Sequence, residues 1–174
     1  MAESSTDFGL VDEIGAEAVG PAGQRTFRLI ARSRSEYASL WMEKEQLTAL
    51  GTALQQQIVR LGRPPSRDRP PRLLAGSELP STADVEFRCG QVGLGYDEAR
   101  EEFVVFAYPT DAAEDGPAGW TGRLTIGQGR ALSREIEQLV NSGRPKCPLC
   151  GLIMEGPLHV CPRTNGHAKD LAGL

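Results

Sequence analysis

The sequence predicts an α+β fold: two βββα-like units forming an antiparallel sheet with helices on one side, plus a small C-terminal cysteine-rich knuckle. Three observations predict it. Strand-like runs come in two sets of three, and each set is followed by a stretch of helical period. Three of the four cysteines then crowd between positions 147 and 161.

The first unit spans residues 8–61. Apolar runs at 11–19, 24–32 and 37–42 are separated by PAG at 21–23 and by the polar SRSE at 33–36, so successive hairpins are the economical reading. In the middle run Phe27, Leu29 and Ala31 alternate with Arg28 and Arg32, as in a half-buried strand, and Ile30 breaks the alternation. From residue 44 to 61 the period changes. Leu47, Leu50, Leu54, Ile58 and Leu61 recur at steps of three or four, which is the stripe of an amphipathic helix. Gly62, Pro64 and Pro65 stop it, because proline lacks a backbone donor and disfavours a helical residue before it.

Residues 62–83 form a linker rich in proline and arginine, expected to be exposed and mobile. The second unit, 84–140, repeats the grammar. Val85, Phe87 and Cys89 alternate with Glu86 and Arg88, the strand continues through 91–96, and 97–102 turns. Residues 103–108 are a continuous apolar strand, 109–119 a polar loop, and 120–126 a third strand. Gly129 leads into a helix with Leu132, Ile136, Leu139 and Val140 on one face. The repeat of order, more than of letters, predicts a body over 8–140 and a separate knuckle over 144–167.

Composition bounds the function. With 40% hydrophobic and 24% charged residues, the 174-residue chain can bury a core and is not a disordered polyelectrolyte. No run approaches the roughly 18 apolar residues of a spanning helix, and the start, MAESSTDFGLVDE, is acidic where a signal peptide is basic and then apolar. A cytoplasmic location is expected. A net charge of −4 and a pI near 5.3 argue against a general affinity for nucleic acid.

The tail reads RPKCPLCGLIMEGPLHVCPRTNGH and offers Cys147, Cys150, His159, Cys161 and His167 as metal ligands. A CxxC turn suits zinc, because two sulfurs converge about 2.3 Å from the ion while backbone N–H groups in the turn bond the thiolates. Gly151 then permits a positive-φ exit. The fourth ligand is His159, two positions before Cys161, or His167, six after it. The closer pairing is preferred, because residues two apart in an extended turn project to one side. His167 nearer the end costs more backbone entropy to order. Four protein ligands fill a tetrahedron, so a structural zinc is the expected cofactor.

No catalytic residue is assigned. Both histidines lie in the tail, leaving none in the body for a triad. Asp97, Glu98, Glu101 and Glu102 fall in a hairpin turn, where water keeps paired carboxylates ordinary. Gly127 and Gly129 before a helix lack the rest of a phosphate-loop pattern, and a strand-to-helix turn is the default. Cys89 is in phase with the core, and Phe87, Phe103, Phe106 and Tyr108 sit on strands among apolar neighbours, so packing is preferred over base stacking.

The combination of EFRCGQVGLGYD, FVVFAY and the terminus GRPKCPLCG followed by HVCPRTNG resembles the bacterial domain-of-unknown-function family numbered 3090. The resemblance runs from the strand around Phe27 to Gly166. That family's tail is similar to CPLCG, a short proline-containing loop, then GHxCPRxNG, which implies Cys147, Cys150, His159 and Cys161 as the ligand set. Leu158 stands where a glycine is usual. The family being uncharacterised, the resemblance implies no activity.

The resulting expectation is a non-enzymatic module that binds a protein partner. The alternative is a nucleic-acid-associated protein using Arg60, Arg63, Arg67, Arg69, Arg72, Arg144, Lys146 and Arg163. A second alternative is an enzyme with polar groups converging in a pocket that sequence does not reveal.

Overall fold

The computed structural model describes residues 6–21, 23–65, 67, 69–142, 147–152, 154 and 161–164. The chain divides into two compact units, Met1–Val140 and Asn141–Leu174. The first contains β1 (Thr6–Leu10), β2 (Glu13–Val19), β3 (Thr26–Ser33), β4 (Glu36–Met42), α1 (Lys44–Leu61), β5 (Val85–Asp97), β6 (Glu102–Pro109) and β7 (Trp120–Thr125), leading into α2 (Ile126–Asn141). The strands form one seven-stranded sheet in the order β1-β7-β6-β5-β4-β3-β2.

The α+β class holds. The sheet is mixed, however, and the expectation of antiparallel pairing throughout is corrected at two seams. Strands β2-β3-β4 and β5-β6-β7 are antiparallel within each set. The sets meet along the parallel pair β4–β5, and β1 runs parallel to β7. The first seam follows from α1, which returns the chain to the same end of the sheet before β5 begins, as a crossover connection does. The second follows from β1, a strand absent from the sequence reading, which adds to β7 before the chain reaches β2.

β1 and β2 are the two edges of the sheet, yet only Val11 and Asp12 separate them in sequence. Six strand spacings of about 4.8 Å would hold the edges of a flat sheet about 29 Å apart. A two-residue link reaches no more than about 11 Å. The sheet therefore curls until its edges approach at the corner where β1 passes into β2. At the corner Val11 N–H donates to Arg123 of β7 at 3.0 Å, and the next residue, Asp12, donates to Arg32 of β3 at 2.9 Å. Gln128 of α2, 7% exposed, holds this corner by donating from Nε2 to the carbonyls of Val11 (2.9 Å) and Asp12 (3.3 Å).

α1 occupies the residues that the leucine spacing predicts, ending at Gly62 with φ 59°. It buries Leu47, Leu50, Gly51, Leu54 and Ile58. α2 starts three residues earlier than the Gly129 expected. Thr125 and Gln128 cap it reciprocally: Thr125 N–H donates to Gln128 Oε1 at 2.9 Å and Gln128 N–H to Thr125 Oγ1 at 3.1 Å. The helices approach each other closely, since a Cβ on Gly51 would lie 2.8 Å from Ile136 Cγ2. That contact puts both on the same face of the sheet. There they enclose a core including Leu29, Leu40, Phe103, Val105, Trp120, Leu124 and Leu132.

The opposite face explains the break at Ile30. Ile30 pairs with Gly15 on β2, and cross-strand partners share a face. A Cβ on Gly15 would lie 2.1 Å from the carbonyl oxygen of Leu74, so the chain at Leu74 runs against this face, and both Leu74 and Ile30 are buried. Leu74 N–H also donates to Ile14 O at 3.0 Å, and Arg72 pairs with Glu13 at 2.8 Å and with Glu78. The expectation of an exposed, mobile segment over 62–83 is corrected for this stretch, which is docked on β2 and covers its free edge.

Candidate metal centre

The second unit brings the three tail cysteines together. One ligand atom from each of Cys147, Cys150 and Cys161 lies within 4.8 Å of the others, a group that can hold a metal ion. Cys147 Sγ and Cys161 Sγ are 3.8 Å apart. A tetrahedral ion with metal–sulfur bonds of about 2.3 Å sets its sulfurs about 3.8 Å apart. A disulfide needs about 2.05 Å, and all four cysteines of the chain are thiols. The donor set and its spacing fit a thiophilic cation.

Local sequence builds the turn. Gly151 N–H donates to Cys147 O at 2.8 Å and Cys147 N–H to Leu152 O at 2.8 Å, closing the CPLCGL segment on itself. Gly151 takes φ 73°, the left-handed conformation that glycine adopts without a Cβ penalty. The backbone N–H groups of Cys150 and Leu149 point at Cys147 Sγ and, with the neighbouring thiols of Cys150 and Cys161, lower its pKa to about 6. Cys150 is shifted the other way, chiefly by burial, although the Leu152 N–H bonds its sulfur. Backbone donors aimed at sulfur favour the thiolate, which is the metal-binding form. Cys147 and Cys161 are buried while Leu149 and Leu152 are 54% and 53% exposed, so the turn points its sulfurs inward and its leucines to solvent.

His159 and His167, the two candidates for the fourth ligand, lie outside the described residues, as do Arg144 and Lys146. Arg163 is exposed in a 3-10 turn, Pro162–Thr164, directly after Cys161.

In the body, the other sequence candidates are placed as packing or surface groups. Cys89 is buried and desolvation raises its thiol pKa to about 12, which makes it a core residue and a poor nucleophile. Asp97 bonds Arg100, whose backbone and side-chain donors hold its carboxyl below the usual range, and Glu101 pairs with Arg63. Gly129 lets α2 approach Phe103, to whose ring a Cβ would come within 2.7 Å. Phe103 is fully buried; Phe87, Phe106 and Tyr108 are half-buried. Of the arginines between positions 60 and 72, Arg63 and Arg72 are engaged with carboxylates, while Arg60 in the last turn of α1 and Arg67 and Arg69 in the linker are exposed. Among the described residues no helix is long and apolar enough to cross a membrane.

Sequence reasoning missed Gln128, although Thr125-x-x-Gln128 is a capping pattern legible in the letters. A family model described as "Protein of unknown function (DUF3090)" matches residues 6–161. No curated protein and no solved structure matches the chain significantly.

Proposed function

Since the chain belongs to the DUF3090 family, for which no activity is described, we propose from the site alone that it is a non-enzymatic protein-interaction module. One structural zinc ion would fold its C-terminal unit, held by Cys147, Cys150 and Cys161 with His159 as fourth ligand and His167 the alternative. The observation that carries this reading is the convergence of three thiols within 4.8 Å, with a 3.8 Å separation matching one edge of a zinc–thiolate tetrahedron.

Bound zinc would supply cross-linking: it closes the chain between Cys147 and Cys161, a stretch too short to bury a core of its own. The protein's own contribution is the backbone N–H groups that stabilise thiolate at Cys147. A filled ligand set leaves the exposed Leu149 and Leu152 as what the knuckle offers outward, and exposed leucines on a rigid turn suit a protein partner. The absence of histidine from the body and the pairing of Asp97 and Glu101 with arginine support a binding role over a catalytic one.

Affinity purification of the native full-length chain, beside Cys150→Ser and Leu149→Asp variants, tests the reading. A defined protein that copurifies with the wild type and is lost from both variants, while the body's circular dichroism is unchanged, is expected. Recovery of nucleic acid instead, released by salt, would contradict it.

A further inference from the structure

A polar cavity of ≈ 440 Å³ opens between β1 and the turn joining β3 to β4, lined by Asp7, Asp12, Ser33, Arg34, Glu36 and Arg123 among others. Two of its three carboxylates are already engaged. Asp7 Oδ1 accepts the N–H of Gly9 at 2.8 Å, and Asp12 Oδ2 accepts the N–H of Arg34 at 2.6 Å and lies 3.7 Å from Arg32 Nη1. The Ser33 hydroxyl donates to Phe8 O at 2.9 Å.

The two lining arginines differ. Arg34 is fixed through its backbone alone, as donor to Asp12 and as acceptor from Arg32 Nη1, and among the described residues its guanidinium has no bonding partner. It does so at φ 55°, a conformation in which a side chain is strained and glycine or asparagine is usual. A turn that keeps arginine there holds a guanidinium at the cavity rim. Arg123 Nε is buried and ion-paired with Glu102 Oε2 at 3.5 Å, without a hydrogen bond, so it is the Nη end of this guanidinium that is left for the cavity. Its Nη2 lies beside Gly9, 3.5 Å from where a Cβ would stand. Among the described residues the Arg34 guanidinium and the Nη groups of Arg123 make no hydrogen bond, and such donors at one cavity are the chemistry of oxyanion recognition.

We propose that this cavity binds the oxyanion head of a small ligand, a phosphate or a carboxylate, between the guanidinium groups of Arg34 and Arg123. Among the described residues the Glu36 side chain has no hydrogen-bond partner, so it is placed to accept from a donor that stands beside the ligand's oxyanion. The site is independent of the metal centre, and so is its test.

The experiment is a ¹⁵N NMR titration of the full chain as purified with inorganic phosphate and, separately, with succinate, at ionic strength matched with sodium chloride. Saturable shifts at Gly9, Arg34 and Arg123 are expected; whichever anion saturates names the head group. Arg34→Gly preserves the left-handed turn while removing the guanidinium, and it should weaken binding by about tenfold, as should Arg123→Gln. Arg88→Gln, outside the cavity lining, should bind as the wild type does. Shifts equal to those produced by sodium chloride, no saturation by about 50 mM of either anion, or undiminished affinity in Arg34→Gly would overturn the proposal.

Discussion

Gln128 Nε2 lies 2.9 Å from the carbonyl oxygen of Val11, so the first turn of α2 is hydrogen-bonded to the residue at which the chain passes from one edge of the sheet to the other. The bond is buried, and Gln128 also caps its own helix through Thr125. Replacing it by leucine leaves the Val11 carbonyl desolvated and unpaired, a loss of about 1–3 kcal/mol. Urea unfolding of Gln128→Leu should show that loss, and Thr125→Ala, which removes only the cap, a smaller one of about 1 kcal/mol.

Gly51 and Ile136 set how closely the helices approach. Alanine at Gly51 would gain about 1 kcal/mol of helix propensity, but its Cβ would fall 2.8 Å from Ile136 Cγ2. Overpacking of about 1–3 kcal/mol outweighs the gain. Gly51→Ala is therefore expected to destabilise, and the double variant with Ile136→Ala to be more stable than the sum of the singles by about 0.5 kcal/mol or more.

Leu74 anchors a segment that composition alone marks as linker. Its side chain is 2% exposed and its backbone seals β2. Leu74→Ala should cost about 2–4 kcal/mol, the range of a buried leucine truncation. Native-state proteolysis should then cut within 62–83 at denaturant concentrations where the wild type resists.

These cases mark what the letters carried. α1 was readable because its stripe and Gly62 are local signals, and Cys89 because strand phase is local too. The curl of the sheet was not readable, since it depends on Val11 reaching Arg123 and Asp12 reaching Arg32, partners far away in sequence. Ile30 was visible as an anomaly whose cause, the backbone at Leu74 lying where Gly15 has no side chain, is a tertiary contact. At the cysteine cluster CxxC placed two sulfurs and the later cysteine a third, all three legible from spacing, whereas His159 and His167 are two and six positions from Cys161, and spacing alone does not choose between them.

Glu135 gives a pH dependence. Its carboxyl accepts the Ala16 N–H at the free edge of β2 at 2.8 Å, and burial raises its pKa above the ordinary value despite that bond. A carboxyl whose pKa is higher folded than unfolded favours the native state when protonated. Its contribution is complete below the unfolded pKa and is lost as pH rises through the folded one. Glu135→Gln keeps an acceptor for Ala16 without the charge. It should be more stable than the wild type at neutral pH, the difference shrinking as the pH falls toward 4, measured by thermal melts across that range.

The central claim is that Cys147, Cys150 and Cys161 share one structural zinc ion, and elemental analysis of the purified full chain beside Cys150→Ser tests it most directly. About one zinc per wild-type chain is expected, together with its loss from Cys150→Ser, whose C-terminal amide NMR signals collapse while those of the body keep their positions. Stoichiometric zinc retained by Cys150→Ser, or a wild type with an ordered tail and no metal after expression in zinc-supplemented medium, would contradict it.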